Sequence, residues 1–248
     1  MTITSPHNEK LKTVRKLRQR RRDRDRLGQF VAEGEDLLAA ADAAGWVPVE
    51  RFALSGSGLP GIEVDAAALK SVTELASGAR TLAIYNERWQ AVDGIQSGLC
   101  VYLHGVNDPG NVGTVLRSAA AFGASCVALG AGSADPFSPK AVRASMGAIF
   151  DVPVAHATPD HLPGMTIALD AKAPRTLAEV AAELPGDAEL SLLVGAERAG
   201  LPDEVLAAAL MSARVPIATE SLNAGIAASI ALYELGRSRP LGTPGGAT

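Results

Sequence analysis

Five polar and charged residues stand just beyond three predicted strands. They are Asn111, Arg117, Glu197, Ser221 and Asn223. Amides, a carboxylate and a guanidinium held together could position a ligand and control developing charge, because they combine hydrogen-bond donors with acceptors. Each loop also has a plain interpretation: an asparagine N-cap with a surface arginine in the first, and helix capping in the other two. The chemistry therefore depends on whether the fold brings these loops into one pocket.

The second half of the chain alternates apolar runs with helical patterns. Strands are predicted over 99–106, 125–130, 152–157, 165–172, 189–197 and 213–218, and helices over 111–122, 138–150, 176–184, 202–210 and 221–236. Apolar runs without alternation, joined by helices, indicate an α/β fold whose parallel sheet is covered on both faces. Ligands of such sheets bind beyond the carboxyl ends of the strands, which is where the five residues stand.

The first half predicts a smaller α/β unit. A short strand runs into an Ala/Leu-rich helix over 30–46, a Gly- and Ser-rich loop covers 55–61, and a helix and a strand follow over 62–89. The segment Asp93–Gly98 reads as a linker. We therefore expect two domains, 1–92 and 99–240, with a disordered tail over 241–248.

Composition excludes several classes of protein. Of 248 residues, 47% are hydrophobic and 20% charged, which is typical of a folded globular chain. Two cysteines and four scattered histidines predict neither a disulfide scaffold nor a metal site. The sequence has neither an apolar leader nor a run of about 18 apolar residues, so we expect a reduced, metal-free, cytoplasmic protein without a membrane segment.

Charge is concentrated in residues 9–26, here called the basic segment. It holds ten Lys and Arg against three acidic residues, although the net charge of the chain is −4. A basic stripe on an acidic protein is typical of contact with a nucleic acid backbone. The predicted RNA contacts are Lys10, Lys12, Arg15, Arg18, Arg20, Arg21 and Arg22. The alternative is a solvated helix with ion pairs among Arg22–Asp25.

Familiar cofactor and nucleophile motifs do not fit. Gly130 and Gly132 follow a strand, but the third glycine of a dinucleotide motif would fall on Asp135. The sequence contains no phosphate-binding P-loop and no G-x-S-x-G elbow. Cys126 is predicted to be a buried strand residue rather than a nucleophile.

The three loops match three motifs in order. The first is Asn111, Gly113 and Arg117 followed by Ala120–Gly123; the second is Gly195, Glu197, Gly200, Leu201 and Pro202; the third is Ser221–Asn223 with Leu232–Glu234. Together with RASMGAIFDVPV at 143–154, they resemble the SpoU (TrmH) family of RNA ribose 2′-O-methyltransferases in the SPOUT superfamily. NEKLKTVRKLRQRR and FVAEGEDLL resemble the substrate-binding domain that precedes many such catalytic domains.

The resemblance implies a fold and a reaction. The fold would be a parallel SPOUT sheet with a C-terminal trefoil knot, in a homodimer. The reaction would be methyl transfer from S-adenosylmethionine to a ribose in RNA, with large-subunit (23S) rRNA favoured. Cofactor contacts would come from Leu193, Gly195, Val215, Ile217, Leu222 and Asn223, and the catalytic residues would be Arg117, Asn111, Glu197, Ser221 and Asn223.

The resemblance gives Arg117 the central role. Because a guanidinium rarely gives up its proton, we expect it to hold the adjacent phosphate and stabilise a developing alkoxide. Three alternatives stay open: a tRNA ribose methyltransferase, an enzyme that methylates a base nitrogen, and a non-catalytic RNA-binding protein that retains the fold.

Overall fold

The computed structural model describes residues 2–74, 78–91 and 98–237. Two sequence predictions fall outside these ranges: most of the linker, over 93–97, and the tail over 241–248. The described residues form a four-stranded sheet in the first third of the chain and a seven-stranded sheet in the remainder.

The first unit contains four helices and four strands in its described part. They are α1 (Glu9–Gln19), α2 (Arg21–Leu27), β1 (Gln29–Glu33), α3 (Glu35–Ala43), β2 (Glu50–Leu54), β3 (Ile62–Val64), α4 (Ala66–Lys70) and β4 (Thr81–Asn86). The sheet order is β1-β4-β2-β3, with β4 antiparallel to both neighbours and β3 parallel to β2. The predicted first strand and helix and the last strand are present, but the sequence prediction missed β2 and β3. Residues 62–64 form a strand rather than the start of a helix, and the helix that follows covers only Ala66–Lys70.

Helix α1 shows why the basic segment folds. The side-chain oxygen of Asn8 accepts the amide of Lys10 at 2.9 Å, which satisfies an N–H that the first turn leaves unpaired. Leu11, Val14 and Leu17 recur on one face and are buried in a core with the first sheet. This apolar face turns most of the basic side chains of α1 toward solvent.

The second unit carries the larger sheet. Its elements are β5 (Trp89–Gln90), β6 (Leu99–Leu103), α5 (Pro109–Ala121), β7 (Cys126–Leu129), α6 (Pro139–Ala144), β8 (Val154–His156), β9 (Met165–Leu169), α7 (Leu177–Glu183), β10 (Leu190–Val194), α8 (Asp203–Ala208), β11 (Met211–Ala213) and α9 (Ala224–Gly236). The order is β11-β9-β10-β6-β7-β8-β5, and every strand pairs in parallel with its neighbours. The predicted parallel α/β sheet is confirmed.

Both faces of this sheet are covered, as the uninterrupted apolar strands predicted. Alternate residues of β6 enter two different cores: Leu99, Val101 and Leu103 in one, Cys100 and Tyr102 in the other. Cys126 lies opposite Cys100, and both thiols are free and buried. Hydrogen bonding to Cys100, together with burial, raises the pKa of Cys126, so this thiol is an inert core group as predicted.

Several element boundaries differ from the sequence predictions, and three of these differences have a physical reason. The last strand ends at Ala213 rather than at residue 218, because Pro216 has no N–H to donate to a ladder. Helix α5 begins at Pro109, two residues early, because Asp108 and not an asparagine caps it. Trp89, predicted as the end of a strand in the first unit, pairs instead with β8 in the second sheet, together with Gln90.

One hydrophobic core joins the two units. Five rings form what we call the aromatic cluster: Phe30, Trp46 and Tyr85 from the first unit, with Phe137 and Phe150 from the second. The indole N–H of Trp46 also donates to the carbonyl of Phe150 at 2.8 Å. The first unit is therefore packed against the second through buried aromatic surface.

A buried ion pair lies at the same boundary. The Nε and Nη2 atoms of Arg24 lie 2.8 and 2.7 Å from one carboxylate oxygen of Asp135, and Nη1 donates to the Leu17 carbonyl at 2.7 Å. Both side chains of the pair are less than one-tenth exposed. Arg24 is thus the residue of the basic segment that ties α2 to the second unit.

Among the helices that the structure describes, none is both long enough and apolar enough to cross a bilayer. The described side chains likewise contain no group of three or more His, Cys, Asp or Glu arranged to hold a metal ion.

Candidate active site

The loop after β6 begins at the predicted edge of the sheet. His104 donates its backbone N–H to the Val194 carbonyl at 2.9 Å, which joins the end of β6 to the end of β10. Asp108 then caps α5 by accepting the Gly110 amide at 2.6 Å. The hydrogen bond from Lys140, followed by the Gly110 amide, lowers the pKa of Asp108. This cap fixes where Asn111 enters the helix.

The loop after β10 is a tight turn with a glutamate in it. Ala196 and Gly200 exchange backbone hydrogen bonds of 3.2 and 2.9 Å, so residues 197–199 form the tip of the turn. A Cβ on Gly195 would overlap the backbone of Gly200, whereas Gly200 itself has open space but a φ of +68°. Glycine at both positions is therefore a condition for this turn, for two different steric reasons.

The third loop ends at the N-terminus of α9. The side-chain oxygen of Asn223 accepts the Ile226 amide at 3.2 Å and so caps the helix. Its amide nitrogen takes no part in the cap and can donate a hydrogen bond to a different loop. The capping interpretation and the functional one are therefore both met by a single side chain, through different atoms.

The three loops meet at Asn111. Its amide nitrogen donates to a carboxylate oxygen of Glu197, and its oxygen accepts the Asn223 amide at 2.8 Å. Because an ionised carboxylate only accepts hydrogen bonds, the nitrogen of Asn111 must face Glu197, which leaves the oxygen for Asn223. We call Asn111, Glu197 and Asn223 the three-loop junction.

The other two catalytic candidates lie outside these contacts. Arg117 is exposed, and its side chain makes no hydrogen bond or ion pair with the described part of the chain. It follows Asn111 by six residues in α5, which places it about 9 Å along the axis and about 120° around it. Ser221 is exposed, and its carbonyl accepts the Thr219 hydroxyl at 3.3 Å. The structure thus joins three of the five candidates directly.

Some of the predicted cofactor-binding residues lie in a strand and its tight turn, and the others lie in an irregular segment. Leu193 lies buried within β10, and Gly195 follows in the tight turn. Val215, Ile217 and Leu222 lie in an irregular segment after β11. Over 215–220 the backbone makes no hydrogen bond to any residue that the structure describes, so its amides and carbonyls are open to a ligand. A glycine-lined turn beside open backbone suits a ligand that is bound through main-chain groups.

The basic segment separates into exposed and buried charges. Lys10, Arg20, Arg21 and Arg22 are exposed, and Lys12 and Arg15 are half-buried. Several are partly paired: Lys10 with Glu50, Lys12 with Glu9, and Arg21 with Asp25. Arg20 and Arg22, like Lys16 of the same segment, are exposed and have no ion pair within the described ranges, so these three are the cations most open to a phosphate.

Arg18 does not fit its predicted role. Its side chain is 4% exposed, its guanidinium contacts Glu33 and Glu74, and it donates to the Val72 carbonyl at 2.8 Å. A guanidinium held by two carboxylates inside the first unit has no face for a phosphate. The sequence could not reveal this, because one partner lies 15 residues away and the other is still farther along the chain.

Sequence reasoning also missed the role of Arg24 and Asp135. Their side chains are 111 residues apart in the chain, and nothing local marks them as partners. By contrast, the Asp-Pro pair at 108–109 is a helix-start signal that the sequence did contain.

Comparisons with known proteins identify relatives over nearly the whole chain. The chain is 29% identical to the 23S rRNA (guanosine(2553)-2′-O)-methyltransferase RlmP of Bacillus subtilis. The alignment covers 94% of this chain and 98% of that protein. It is 30% identical to an uncharacterized tRNA/rRNA methyltransferase of Synechocystis, in an alignment that covers 98% of this chain and 97% of that protein. An AdoMet-bound rRNA methyltransferase of Sinorhizobium meliloti superposes with a TM-score of 0.84, at 31% identity over 96% of this chain and 97% of that one.

Family models divide the chain between them. The MRM3-like substrate binding domain matches residues 8–83, and the SpoU rRNA methylase family matches residues 98–233, which is more than half of the chain. The second match contains the three-loop junction and Arg117. The chain therefore belongs to the SpoU rRNA methylase family.

Proposed function

We propose that this protein transfers the methyl group of S-adenosylmethionine to a ribose 2′-hydroxyl of RNA, with 23S rRNA as the substrate. The observation that carries the proposal is the direct contact among Asn111, Glu197 and Asn223, one from each family motif, at the carboxyl edge of the sheet. The Bacillus relative named for 2′-O-methylation of 23S rRNA, and the AdoMet-bound Sinorhizobium structure, support the choice of substrate and cofactor.

The reaction asks mainly for positioning. S-adenosylmethionine supplies a methyl group already activated on a sulfonium. The protein must hold the ribose hydroxyl in line at about 3 Å. As the oxygen bonds to the methyl group and the carbon–sulfur bond breaks, the hydroxyl proton passes to solvent water. We assign cofactor contacts to the backbone at Leu193, Gly195, Val215, Ile217 and Leu222, together with Asn223. The three-loop junction would keep the turn and the open segment at a fixed separation.

Arg117 is proposed as the catalytic residue that contacts the RNA. Since it is exposed and without a protein partner in the described ranges, its guanidinium is open to the phosphate beside the target ribose. A guanidinium stays protonated in proteins, so we assign it charge stabilisation of the developing alkoxide rather than proton removal. Ser221, exposed next to the mouth of α9, is assigned to orienting substrate.

RNA contact outside the site is assigned to those predicted basic residues that are exposed or half-buried. These are Lys10, Lys12, Arg15, Arg20, Arg21 and Arg22. Their charge attracts a phosphate backbone through counterion release, without reading sequence. The 2′-hydroxyl is the group that separates RNA from DNA, so substrate class is set by the reaction itself.

A homodimer is proposed from one face of α9. Ile226, Ile230 and Tyr233 recur at helical spacing and are 50%, 40% and 56% exposed. An exposed apolar stripe of this kind is typical of an interface. Light scattering should give twice the monomer mass, and Ile226→Asp together with Ile230→Asp should reduce it to the monomer.

Three family traits complete the proposal. The C-terminal segment is proposed to thread through a loop of the sheet as a trefoil knot. The domains are proposed as 1–92 and 99–240, which the family matches at 8–83 and 98–233 support. The Bacillus and Sinorhizobium relatives come from bacteria, whose ribosomes are assembled in the cytoplasm, so we assign the action of this protein to the cytoplasm.

One experiment tests the function. The protein is incubated with methyl-labelled S-adenosylmethionine and, separately, with 23S rRNA and tRNA, and alkali-resistant dinucleotides are then mapped. We expect label in 23S rRNA at a ribose, and loss of label with Asn111→Leu, which removes both junction contacts. Label only in tRNA, label on a base, or binding without transfer would each overturn the proposal in favour of one alternative.

A further inference from the structure

Two aromatic side chains stack beside the outermost strand of the second sheet. The ring centroids of Trp89 and His156 are 3.9 Å apart with an angle of 19° between their planes. His156 is exposed, and Trp89 is 36% exposed, in contrast to Trp46 at 7%. A large aromatic ring left accessible beside a second ring offers a flat surface to another planar group. We call these two residues the stacked pair.

The stacked pair is held in place from three sides. The indole N–H of Trp89 donates to Glu87 at 2.9 Å, and its ring meets the buried Phe137 edge-on at 5.2 Å. Trp89 pairs with Val154 in the sheet, and His156 is two residues beyond on the same face. The rings are therefore fixed by strands and by the aromatic cluster, so stacking another ring on them costs little ordering.

His156 of the stacked pair lies at the carboxyl edge of the sheet, where the three-loop junction also lies, and Trp89 reaches it from the start of β5. His156 ends β8, and the sheet is parallel, so its carboxyl end faces the same way as those of β6 and β10. Two strand spacings separate β8 from β6 and three separate it from β10, or about 10 to 15 Å. A nucleotide near the target ribose can span that separation.

Helix α2 lies next to the chain segment that leads into the stacked pair. The Glu87 amide donates to the carbonyl of Gly28, the residue that caps the C-terminal end of α2, at 2.7 Å. Arg22 and Arg26 are exposed on this short helix. Phosphates of a strand whose base reaches Trp89 would therefore pass close to exposed arginines. Aromatic rings beside basic residues are the combination with which proteins hold single-stranded RNA.

We propose that the stacked pair is a binding platform for one unpaired base of the RNA substrate, which extends the stack of Trp89 and His156 on its outer face while α2 contacts the phosphates of the RNA. The proposal rests on the proposed function for the identity of the substrate. It deepens that function by naming residues, outside the three motifs, that bind RNA at a set distance from the reacting ribose.

The first test reads the ring directly. The chain has two tryptophans, so Trp46→Phe leaves Trp89 as the sole indole and keeps a ring in the aromatic cluster. The probe is a 23S rRNA fragment that contains the guanosine at position 2553 named for the Bacillus relative. Titration should quench the fluorescence of Trp89. The matched Trp89→Phe variant, which reports only the buried Trp46, should show no quenching; equal signals in both variants would overturn the platform.

The second test separates binding from chemistry. Trp89→Leu and His156→Ala should each raise the KM for the fragment about tenfold, the order expected for loss of base stacking, with kcat and cofactor affinity unchanged. Trp89→Phe should recover most of the affinity. His161→Ala, which removes another exposed imidazole, is the control and should change nothing.

The outcomes distinguish the two proposals. A lower melting temperature with an unchanged KM would mean that the stacked pair only covers the edge of the sheet, and the platform would be wrong while the methyltransferase proposal stands. Quenching by the fragment without methyl transfer from the wild-type protein would support the platform and overturn the proposed reaction.

Discussion

The basic segment and the three-loop junction use polar side chains in opposite ways. In the basic segment, residues of one chemical type separate into exposed cations such as Arg22 and buried structural ones such as Arg18 and Arg24. In the junction, residues from three distant loops converge on Asn111. A charge pattern therefore predicts an interaction partner only for side chains that the fold leaves exposed, whereas a set of spaced motifs predicts contacts that the fold must make.

The largest effect on stability should come from Arg24. Arg24→Ala leaves the Asp135 carboxylate buried without its partner, which costs about 3–5 kcal/mol of the free energy of unfolding. Urea denaturation measures this. The neighbouring Arg22→Ala, exposed on the same helix, is the control and should stay within about 0.5 kcal/mol. Equal losses in the two variants would remove the distinction between buried and exposed cations.

Arg117 should dominate the rate. Arg117→Ala is expected to lower kcat about 100- to 1000-fold, because a fixed charge at the developing alkoxide is lost. The dissociation constant for S-adenosylmethionine, measured by calorimetry, should stay close to that of the wild type. Turnover near the wild-type value would show that the junction acts without this arginine.

Much of this architecture could be predicted from the sequence. Uninterrupted apolar runs gave the parallel sheet, and the order of the motifs led to Asn111, Glu197 and Asn223. Other features depend on contacts between distant residues, which local patterns do not encode. Arg18 and Arg24 look like their exposed neighbours, and their carboxylate partners are supplied only by the folded chain. Pro216 could have shown that the last strand ends early, since it cannot donate to a ladder.

The tight turn should be sensitive to one added methyl group. Gly195→Ala would push a Cβ into the backbone of Gly200, and overpacking of this kind costs about 1–3 kcal/mol. Gly200→Ala meets open space, but its φ of +68° costs about 1–2 kcal/mol. Urea denaturation and cofactor titration measure both variants. A Gly195→Ala protein as stable as the wild type would argue against the turn described here.

The contribution of the exposed cations to RNA affinity should depend on salt concentration. Arg22→Ala is expected to reduce the slope of log affinity against log salt by about one, with little change in stability. Filter binding of the 23S rRNA fragment between low and moderate salt measures the slope. An unchanged slope would place the phosphate contacts elsewhere on the first unit.

The smallest expected effect is a pH-dependent change in stability on substitution of Glu87. Burial raises the pKa of this carboxyl above its ordinary value of 4.5, so the charged form disfavours folding. Glu87→Gln should therefore be more stable than the wild type near pH 7. The gain should shrink as the pH falls through the raised pKa and vanish below 4.5, where both states are protonated. Urea unfolding at several pH values checks this, and a gain that grows on acidification would contradict it.

The aromatic cluster has a practical consequence for anyone who wants the methyltransferase half alone. A shortened polypeptide that begins at residue 98 would uncover Phe137 and Phe150, which are now 0% and 5% exposed, and would lose the indole that binds the Phe150 carbonyl. Such a fragment would expose a hydrophobic aromatic patch and would aggregate through it before it could be assayed. The two halves are better studied by point substitution within the intact polypeptide than by cutting it.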